Sequence, residues 1–233
     1  ILCNPHNPVG KIWDRETLER IGELCFKHHV LVLSDEIHCD ITRPGMEYIP
    51  FASASEHCKN NSITCVAPTK TFNLAGLQTA AVIVPDAALR HRVNRGLNTD
   101  EVAEPNVFAA IAPIAAFDRG REWLEELREY LWENRKAAED FIREEIPELR
   151  TVSADATYLL WIDCNALPGD LSELAEFIRK ESGLYVCDGR EYGNGYGFLR
   201  MNLACRRELL KEGLERLKRS IHSYRKGISN GII

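Results

Sequence analysis

Four short apolar segments alternate with polar, helix-forming segments in the first hundred residues, and this alternation limits the possible folds most. The segments read "ILC", "VLVLSDE", "SITCVAP" and "TAAVIVP". The run 30–33 is almost continuously apolar, as in strands that are buried on both faces of a parallel sheet. Between the first two segments, Asp14 is placed to cap a helix that carries Leu18 and Ile21 on one face. Strands separated by helices predict a doubly wound α/β sheet.

The second half of the chain has a different pattern. The pattern of residues 118–146 predicts one long amphipathic helix with an apolar stripe, and that of residues 206–226 predicts a last helix. "ATYLLWIDC" and "YGFLRMNLAC" predict strands, and "LSELAEFIRKESG" predicts a helix that ends at Gly183. We therefore expect two domains: an α/β domain over 1–100, and a connector helix with a small α+β domain over 101–233.

Composition limits the kinds of partner. The formal net charge of −6 argues against nucleic acid or an anionic membrane as the main partner, because both select clustered Lys and Arg. No apolar run has the length of a membrane span. The eight cysteines include no C-x-x-C pair, which predicts no zinc site or other metal site and a reducing, cytoplasmic location.

Polar side chains follow the predicted strands at their carboxyl ends, where doubly wound sheets bind ligands. Asn7, Asp35 and Lys70 occupy these positions, and Arg200 interrupts an apolar strand in the second half. Ionisable groups in apolar surroundings are candidates for a functional site if they converge. From spacing alone, an ion-pair network of purely structural importance explains Asp35, Lys70 and Arg200 equally well.

Each of these residues stands in a longer motif. The motifs are "NPHNPVG" with Asn7, "LSDEIHCD" with Asp35, "APTKTFNLAGLQ" with Lys70, and "FLRMNLAC" with Arg200. In order and separation they resemble the Asn-Pro loop, the aspartate strand, the lysine segment and the carboxylate-binding Arg-x-Asn strand of the pyridoxal-phosphate-dependent aminotransferase superfamily, class I/II. The resemblance implies fold type I, with the second half of the large doubly wound domain followed by the small α+β C-terminal domain.

The resemblance also implies a role for each residue around pyridoxal 5'-phosphate. Lys70 would hold the cofactor covalently and act as the base that removes the α-proton of an amino-acid substrate. Asp35 would pair with the pyridine nitrogen, and Asn7 would donate a hydrogen bond to the phenolate oxygen of the ring. Arg200 would bind the substrate carboxylate through its two-pronged guanidinium.

Two further residues are implied as cofactor contacts, and two positions depart from the family. His38 stands where aminotransferases of this class often have a tyrosine at the cofactor oxygen, although a buried supporting histidine is an equal alternative. Thr69 would contact the phosphate or, alternatively, cap the next turn. Ala67 and Gln78 replace a phosphate-binding serine and an arginine that many relatives carry, so half of the usual phosphate site is altered.

Closer similarity to one branch of the superfamily indicates which reaction to expect. "SDEIHCD", "APTKTFNLAGLQ" and "ATYLLWID" are most similar to the cystathionine β-lyase branch of carbon–sulfur lyases. This implies α,β-elimination of cystathionine or cysteine-type thioethers to pyruvate, ammonia and a thiol. The alternatives are an aminotransferase of the same fold, of the aromatic or histidinol-phosphate type, and a non-catalytic regulatory or interaction fragment.

The resemblance has consequences for assembly. Relatives form homodimers whose active sites lie at the subunit interface, which places the helices of 87–117 among the candidate contacts. In the family, an N-terminal arm and the first half of the large domain precede the Asn-Pro loop. We therefore expect this chain to be the C-terminal portion of a longer protein, with an exposed sheet edge that tends to associate.

Overall fold

The computed structural model describes residues 1–229. The chain divides into two compact units. Unit 1 contains residues 1–7, 11–128 and 155–157. Unit 2 contains residues 8–10, 129–154 and the described residues from 158 onward.

Unit 1 is built on a four-stranded sheet of order β1-β2-β3-β4, in which β1, β2 and β3 are parallel and β4 is antiparallel to β3. Its strands are β1 (Leu2–Cys3), β2 (Val32–Asp35), β3 (Ser62–Val66) and β4 (Ala81–Ile83). Its helices are α1 (Arg15–Lys27), α2 (Phe51–Ala54), α3 (Glu56–Asn60), α4 (Pro68–Thr71), α5 (Ala87–Thr99) and α6 (Phe108–Arg119). Helix α7 (Arg121–Glu145) begins in unit 1 and continues in unit 2.

The first helix confirms the capping prediction. The Asp14 carboxylate accepts a hydrogen bond from the Thr17 backbone nitrogen at 2.8 Å, which satisfies one of the free amides at the start of α1. Leu18 is fully buried and packs with Val32 and Phe51 in the apolar cluster of unit 1. Glycine at position 22 allows α3 to lie close to α1, since a Cβ there would lie 2.3 Å from the Cys58 sulfur.

Burial of the sheet on both faces was the wrong expectation. Leu33, Val82 and Ile83 are 37%, 39% and 49% exposed, respectively. Side chains of a strand alternate between the two faces. The buried cluster of unit 1 lies on the face of Val32, so Leu33 points to the opposite face, which nothing among residues 1–229 of this unit covers fully.

Within its described residues, unit 2 consists of an antiparallel sheet with three α-helices. The sheet order is β5-β6-β8-β7, with strands β5 (Arg150–Thr151), β6 (Leu159–Asp163), β7 (Cys187–Asp188) and β8 (Phe198–Asn202). Its helices are the later part of α7, α8 (Leu174–Ser182) and α9 (Arg207–Ser229). One large apolar cluster joins α7, α8 and α9 to β6 and β8. The predicted end of α8 is confirmed, since Gly183 follows it with a left-handed backbone (φ 69°).

Unit 1 gives way to unit 2 at Arg128–Glu129, inside α7. Because α7 is one continuous helix, its apolar stripe gives no signal of this boundary. The division of the chain into domains at 1–100 and 101–233 stays a prediction. No helix within residues 1–229 combines the length and the apolarity that crossing a bilayer requires.

Candidate active site

Asp35 lies at the carboxyl edge of the parallel sheet in unit 1. It is the last residue of β2, directly opposite Cys3 of β1 and Cys65 of β3. Its Oδ1 accepts a hydrogen bond from the Ile37 backbone nitrogen at 3.2 Å, which turns the chain away from the strand. The carboxylate is half-buried at the strand-end position where such sheets bind ligands.

Asn7 comes to the same edge. Burial raises the pKa of the Cys3 thiol, a hydrogen bond from the Asn7 backbone lowers it, and the charge of Asp35 raises it. One thiol therefore contacts the Asn7 backbone and lies within the field of the Asp35 carboxylate. The structure thus places the Asn-Pro loop and the aspartate at one end of β1, as the sequence predicts.

The loop itself is fixed by buried Asn4. Its backbone nitrogen donates to the Asp35 carbonyl at 3.0 Å, and its side-chain oxygen accepts from the Trp13 backbone nitrogen at 3.3 Å. The Tyr48 hydroxyl donates to the Asn4 carbonyl at 2.8 Å. Asn4 therefore joins the loop to β2, while Asn7 remains half-exposed at the edge.

Lys70 follows β3 within the single turn of α4. The prediction of apolar, buried surroundings is wrong for this residue, because Lys70 is exposed while Pro68 and Thr71 of the same turn face inward. The Thr71 hydroxyl donates to the Asp40 carboxylate at 2.8 Å, which ties the lysine turn to the segment after β2. Thr69, directly before Lys70, is half-buried. An exposed amine on an anchored turn is available for covalent chemistry.

One interaction required by the purely structural ion-pair network, between Asp35 and Lys70, does not form among residues 1–229. In the part of the chain that the structure describes, the ion pairs do not include one between Asp35 and Lys70. Both residues nevertheless belong to the same sheet edge, because their strands β2 and β3 are parallel neighbours. Two opposite charges at a ligand-binding edge that do not form an ion pair with each other favour a binding role over mutual neutralisation.

Glu36 is a neighbour of the site that sequence reasoning missed. It is 2% exposed, and its Oε1 accepts from the Ser34 hydroxyl at 2.9 Å and from the Phe51 backbone nitrogen at 3.0 Å. Burial raises its pKa, against the lowering effect of hydrogen bonds from Tyr48, Phe51 and Ser34. The only sequence signal was a second carboxylate directly after Asp35, because the partner Tyr48 is distant in sequence.

His38 lies in the turn after β2 and is buried. Its carbonyl accepts a hydrogen bond from the Ile41 backbone nitrogen at 3.1 Å. Beside it, burial and the carboxylates of Asp40 and Glu36 raise the pKa of Cys39 to about 12, so this thiol stays protonated. The placement fits a histidine that supports the aspartate turn, and its predicted contact with a cofactor stays a prediction.

Arg200 belongs to unit 2, where β8 runs between β6 and β7. It lies opposite Trp161 on one side and Cys187 on the other. Its guanidinium is half-buried, with the Cζ atom 4.7 Å from the centroid of the Tyr192 ring. The convergence of Arg200 with the site residues of unit 1 stays a prediction.

Comparison with known proteins identifies the family. A family model described as aminotransferase class I and II matches residues 1–217. The chain is 42% identical over 222 residues to cystathionine beta-lyase PatB of Bacillus subtilis, covering 95% of this chain and 57% of that protein. Protein MalY of Escherichia coli is 33% identical, with 97% and 57% coverage.

A solved structure gives the same result. Cystalysin from Treponema denticola, whose crystal structure contains pyridoxal 5'-phosphate, superposes with a TM-score of 0.92 at 31% identity. The match covers 96% of this chain and 57% of cystalysin. The chain thus spans somewhat more than half the length of the relatives it matches. The predicted α/β fold of type I is confirmed, and the chain belongs to the class I and II aminotransferase family.

Proposed function

We propose that this chain forms part of a pyridoxal-phosphate-dependent carbon–sulfur lyase. The reaction is α,β-elimination of cystathionine or a cysteine-type thioether to pyruvate, ammonia and a thiol. One observation carries the proposal: the polar residues of the three family motifs in unit 1 emerge from adjacent parallel strands at one sheet edge. The 42% identity to a cystathionine beta-lyase supports the lyase branch.

The residues at this edge fit the cofactor. Asp35 offers a half-buried carboxylate for a protonated ring nitrogen, Asn7 an amide for the ring oxygen, and Lys70 an accessible amine. Glu36 is buried and hydrogen-bonded to Ser34 and Phe51, so Asp35 is the carboxylate of this pair that is accessible to the ring nitrogen. Thr69, half-buried beside Lys70, would donate to the phosphate. When bound, pyridoxal phosphate supplies an electron sink for the carbanion at the substrate α-carbon.

The protein's own groups handle the proton and the substrate charge. The Lys70 amine removes the proton from the substrate α-carbon. The bond between the β-carbon and sulfur then breaks, and the thiolate leaves with the electron pair. The Arg200 guanidinium binds the α-carboxylate of the substrate by two parallel hydrogen bonds. The Thr71–Asp40 hydrogen bond holds the turn that presents Lys70.

An aminotransferase is the second candidate, favoured by the name of the matching family. The two reactions differ in their need for a second substrate. Incubation of the full-length holoenzyme with cystathionine tests them: we expect pyruvate in the absence of any 2-oxo acid. Strict dependence on 2-oxoglutarate would assign the aminotransferase reaction instead. Loss of both reactions with cofactor bound would favour a regulatory or interaction role.

We infer further that a second copy of the protein packs on α6. This helix is almost entirely apolar, and its four largest apolar side chains are each more than half exposed, namely Phe108, Ile111, Ile114 and Phe117. Exposed apolar side chains in this number on one helix are typical of a protein–protein interface. The homodimers of the family make a second copy the fitting occupant.

Sedimentation of matched variants tests this assembly. The double substitution of Ile111 and Ile114 by glutamate should convert a dimer to a monomer, because it places two charges inside an apolar interface. Leu209→Glu is the control, since Leu209 is 54% exposed on α9 of unit 2. A dimer that survives the double substitution would place the interface elsewhere.

A further inference from the structure

The neighbours of Arg200 in the sheet define where its side chain can go. Because β8 lies between β6 and β7, Arg200 is directly opposite both Trp161 and Cys187. Directly opposed residues project from the same face of an antiparallel sheet. The arginine stem therefore rises between an indole on one side and a thiol on the other.

An aromatic ring covers one face of the guanidinium. Tyr192 ends a short 3₁₀ helix (Gly189–Tyr192) that follows β7, and its ring centroid lies 4.7 Å from the Arg200 Cζ. The ring is itself held edge-on against Trp161 at 5.8 Å and 87°. Trp161 in turn stacks on Phe198 at 5.1 Å and 6°. Tyr192 is thus a fixed surface on which the guanidinium lies.

The Cys187 thiol makes a second contact with the Arg200 guanidinium, through a hydrogen bond. The Arg200 Nη2 donates to the Cys187 sulfur at 3.2 Å. Burial raises the pKa of Tyr192, the charge of Arg200 lowers it, and a hydrogen bond with Cys187 raises it again. Cys187 therefore contacts both the guanidinium and the phenol that lies beneath it. The ring restrains the plane of the guanidinium, and the sulfur restrains rotation within that plane.

Close backbone packing brings the tyrosine to this position. A Cβ at Gly189 would lie 2.1 Å from the Gly195 carbonyl oxygen and 2.7 Å from the Phe198 carbonyl oxygen. Only glycine allows the 3₁₀ helix to lie this close to β8. The residues that make this contact all belong to unit 2.

We propose that Tyr192 and Cys187 are positioning residues for substrate recognition, which orient the Arg200 guanidinium for two parallel hydrogen bonds to a substrate carboxylate. The proposal rests on the proposed function, which assigns that carboxylate to Arg200. Since the Tyr192 ring occupies one face of the guanidinium, the carboxylate must approach in its plane. Such bidentate pairing has strict angular requirements, so a guanidinium free to rotate loses affinity for the substrate.

Four variants of the full-length holoenzyme test the proposal: Tyr192→Leu, Tyr192→Phe, Cys187→Ala and Arg200→Lys. The measurements are kcat and KM for cystathionine, and the dissociation constants of L-alanine and of its neutral amide, alaninamide, which have no β-leaving group. Tyr192→Leu should raise KM and weaken L-alanine binding about tenfold through loss of the cation–π contact, with kcat little changed. Alaninamide binding should change less than twofold, on the order of measurement error.

Smaller effects on L-alanine binding are expected for the two conservative variants, Tyr192→Phe and Cys187→Ala. Tyr192→Phe keeps the ring and should restore L-alanine affinity to within about threefold of the parent protein. Cys187→Ala removes one hydrogen bond and should weaken L-alanine binding about threefold. Thermal unfolding of each variant controls for misfolding, and the two conservative variants decide the matter if Tyr192→Leu is poorly folded.

Two outcomes would overturn the proposal in distinguishable ways. If Arg200→Lys weakens L-alanine binding but Tyr192→Leu and Cys187→Ala do not, Arg200 keeps its role and the positioning residues are rejected. If Arg200→Lys leaves L-alanine binding unchanged, the assignment of the carboxylate to Arg200 fails, and the positioning role fails with it. Equal weakening of L-alanine and alaninamide would also reject a role directed at the carboxylate.

Discussion

Unit 1 and unit 2 contrast in how they hold their ionisable site residues. In unit 2, the half-buried Arg200 has Tyr192, Trp161 and Cys187 as neighbours. Its sheet is joined to three helices by a large buried cluster. In unit 1, Asp35 and Lys70 stand at a sheet edge, and the buried cluster lies on one face only. Packing therefore serves different purposes in the two units. The more completely packed unit 2 orients the Arg200 side chain, whereas the more open unit 1 leaves Asp35 and Lys70 accessible for chemistry.

Truncation in the core of unit 2 should have the largest effect on stability. Leu217 is fully buried on α9, and Leu217→Ala should lower the free energy of unfolding by about 3 kcal/mol. The matched control, Leu209→Ala on the exposed side of the same helix, should change it by less than about 0.5 kcal/mol. Urea unfolding measures both. Equal effects of the two substitutions would contradict the packing assigned to unit 2.

Overpacking in unit 1 should have the next largest effect. In Gly22→Ala, the new methyl group would lie 2.3 Å from the buried Cys58 sulfur, which should lower the unfolding free energy by about 2 kcal/mol. Gly96→Ala is the control, because a Cβ at this position in α5 meets no atom within 4 Å. That substitution should raise stability by up to about 1 kcal/mol through helix propensity. A neutral Gly22→Ala would mean that α1 and α3 are packed more loosely than described.

The buried carboxyl of unit 1 should give a smaller, pH-dependent effect. Burial raises the pKa of Glu36 in the folded protein above its value in the unfolded chain, so the folded state binds the proton more tightly. The stability that this provides is present below the unfolded pKa and is lost as the pH rises through the folded pKa. Glu36→Gln keeps an acceptor for Ser34 and Phe51 but does not titrate.

Urea unfolding at a series of pH values compares the two proteins. The stability of Glu36→Gln relative to the parent protein should increase as the pH rises from acid to neutral. A constant difference across this range would show that Glu36 does not titrate abnormally. A change of opposite sign would show that its hydrogen bonds outweigh burial.

The elements with a local signal were predicted well from sequence. The apolar stripes of α7 and α9, the cap at Asp14 and the glycine after α8 are properties of neighbouring residues, and the structure confirms them. The strand-end position of Asp35 also follows from local pattern, because a strand ends where its apolar run ends, and Lys70 follows in the turn after β3. The class I and II family motifs then linked these positions to a common chemistry.

The missed features depend on contacts between residues that are distant in sequence. No local pattern predicts that Thr71 donates to Asp40, that Tyr48 reaches Asn4, or that Tyr192 lies under Arg200. The exposure of Leu33 was missed for a similar reason, because an apolar run does not report which elements cover each face of the sheet. The sequence therefore predicted the candidate site residues, and the structure was needed to identify the distant residues that position them.

Borohydride reduction of the full-length holoenzyme, followed by peptide mass spectrometry, shows whether Lys70 binds pyridoxal phosphate covalently. We expect a reduced cofactor adduct on the peptide that contains Lys70, and its loss in Lys70→Ala. Lys59→Ala, which removes an exposed lysine on α3 of the same unit, should keep the adduct. An adduct on another lysine, or none in a protein that still eliminates thiol from cystathionine, would contradict the account.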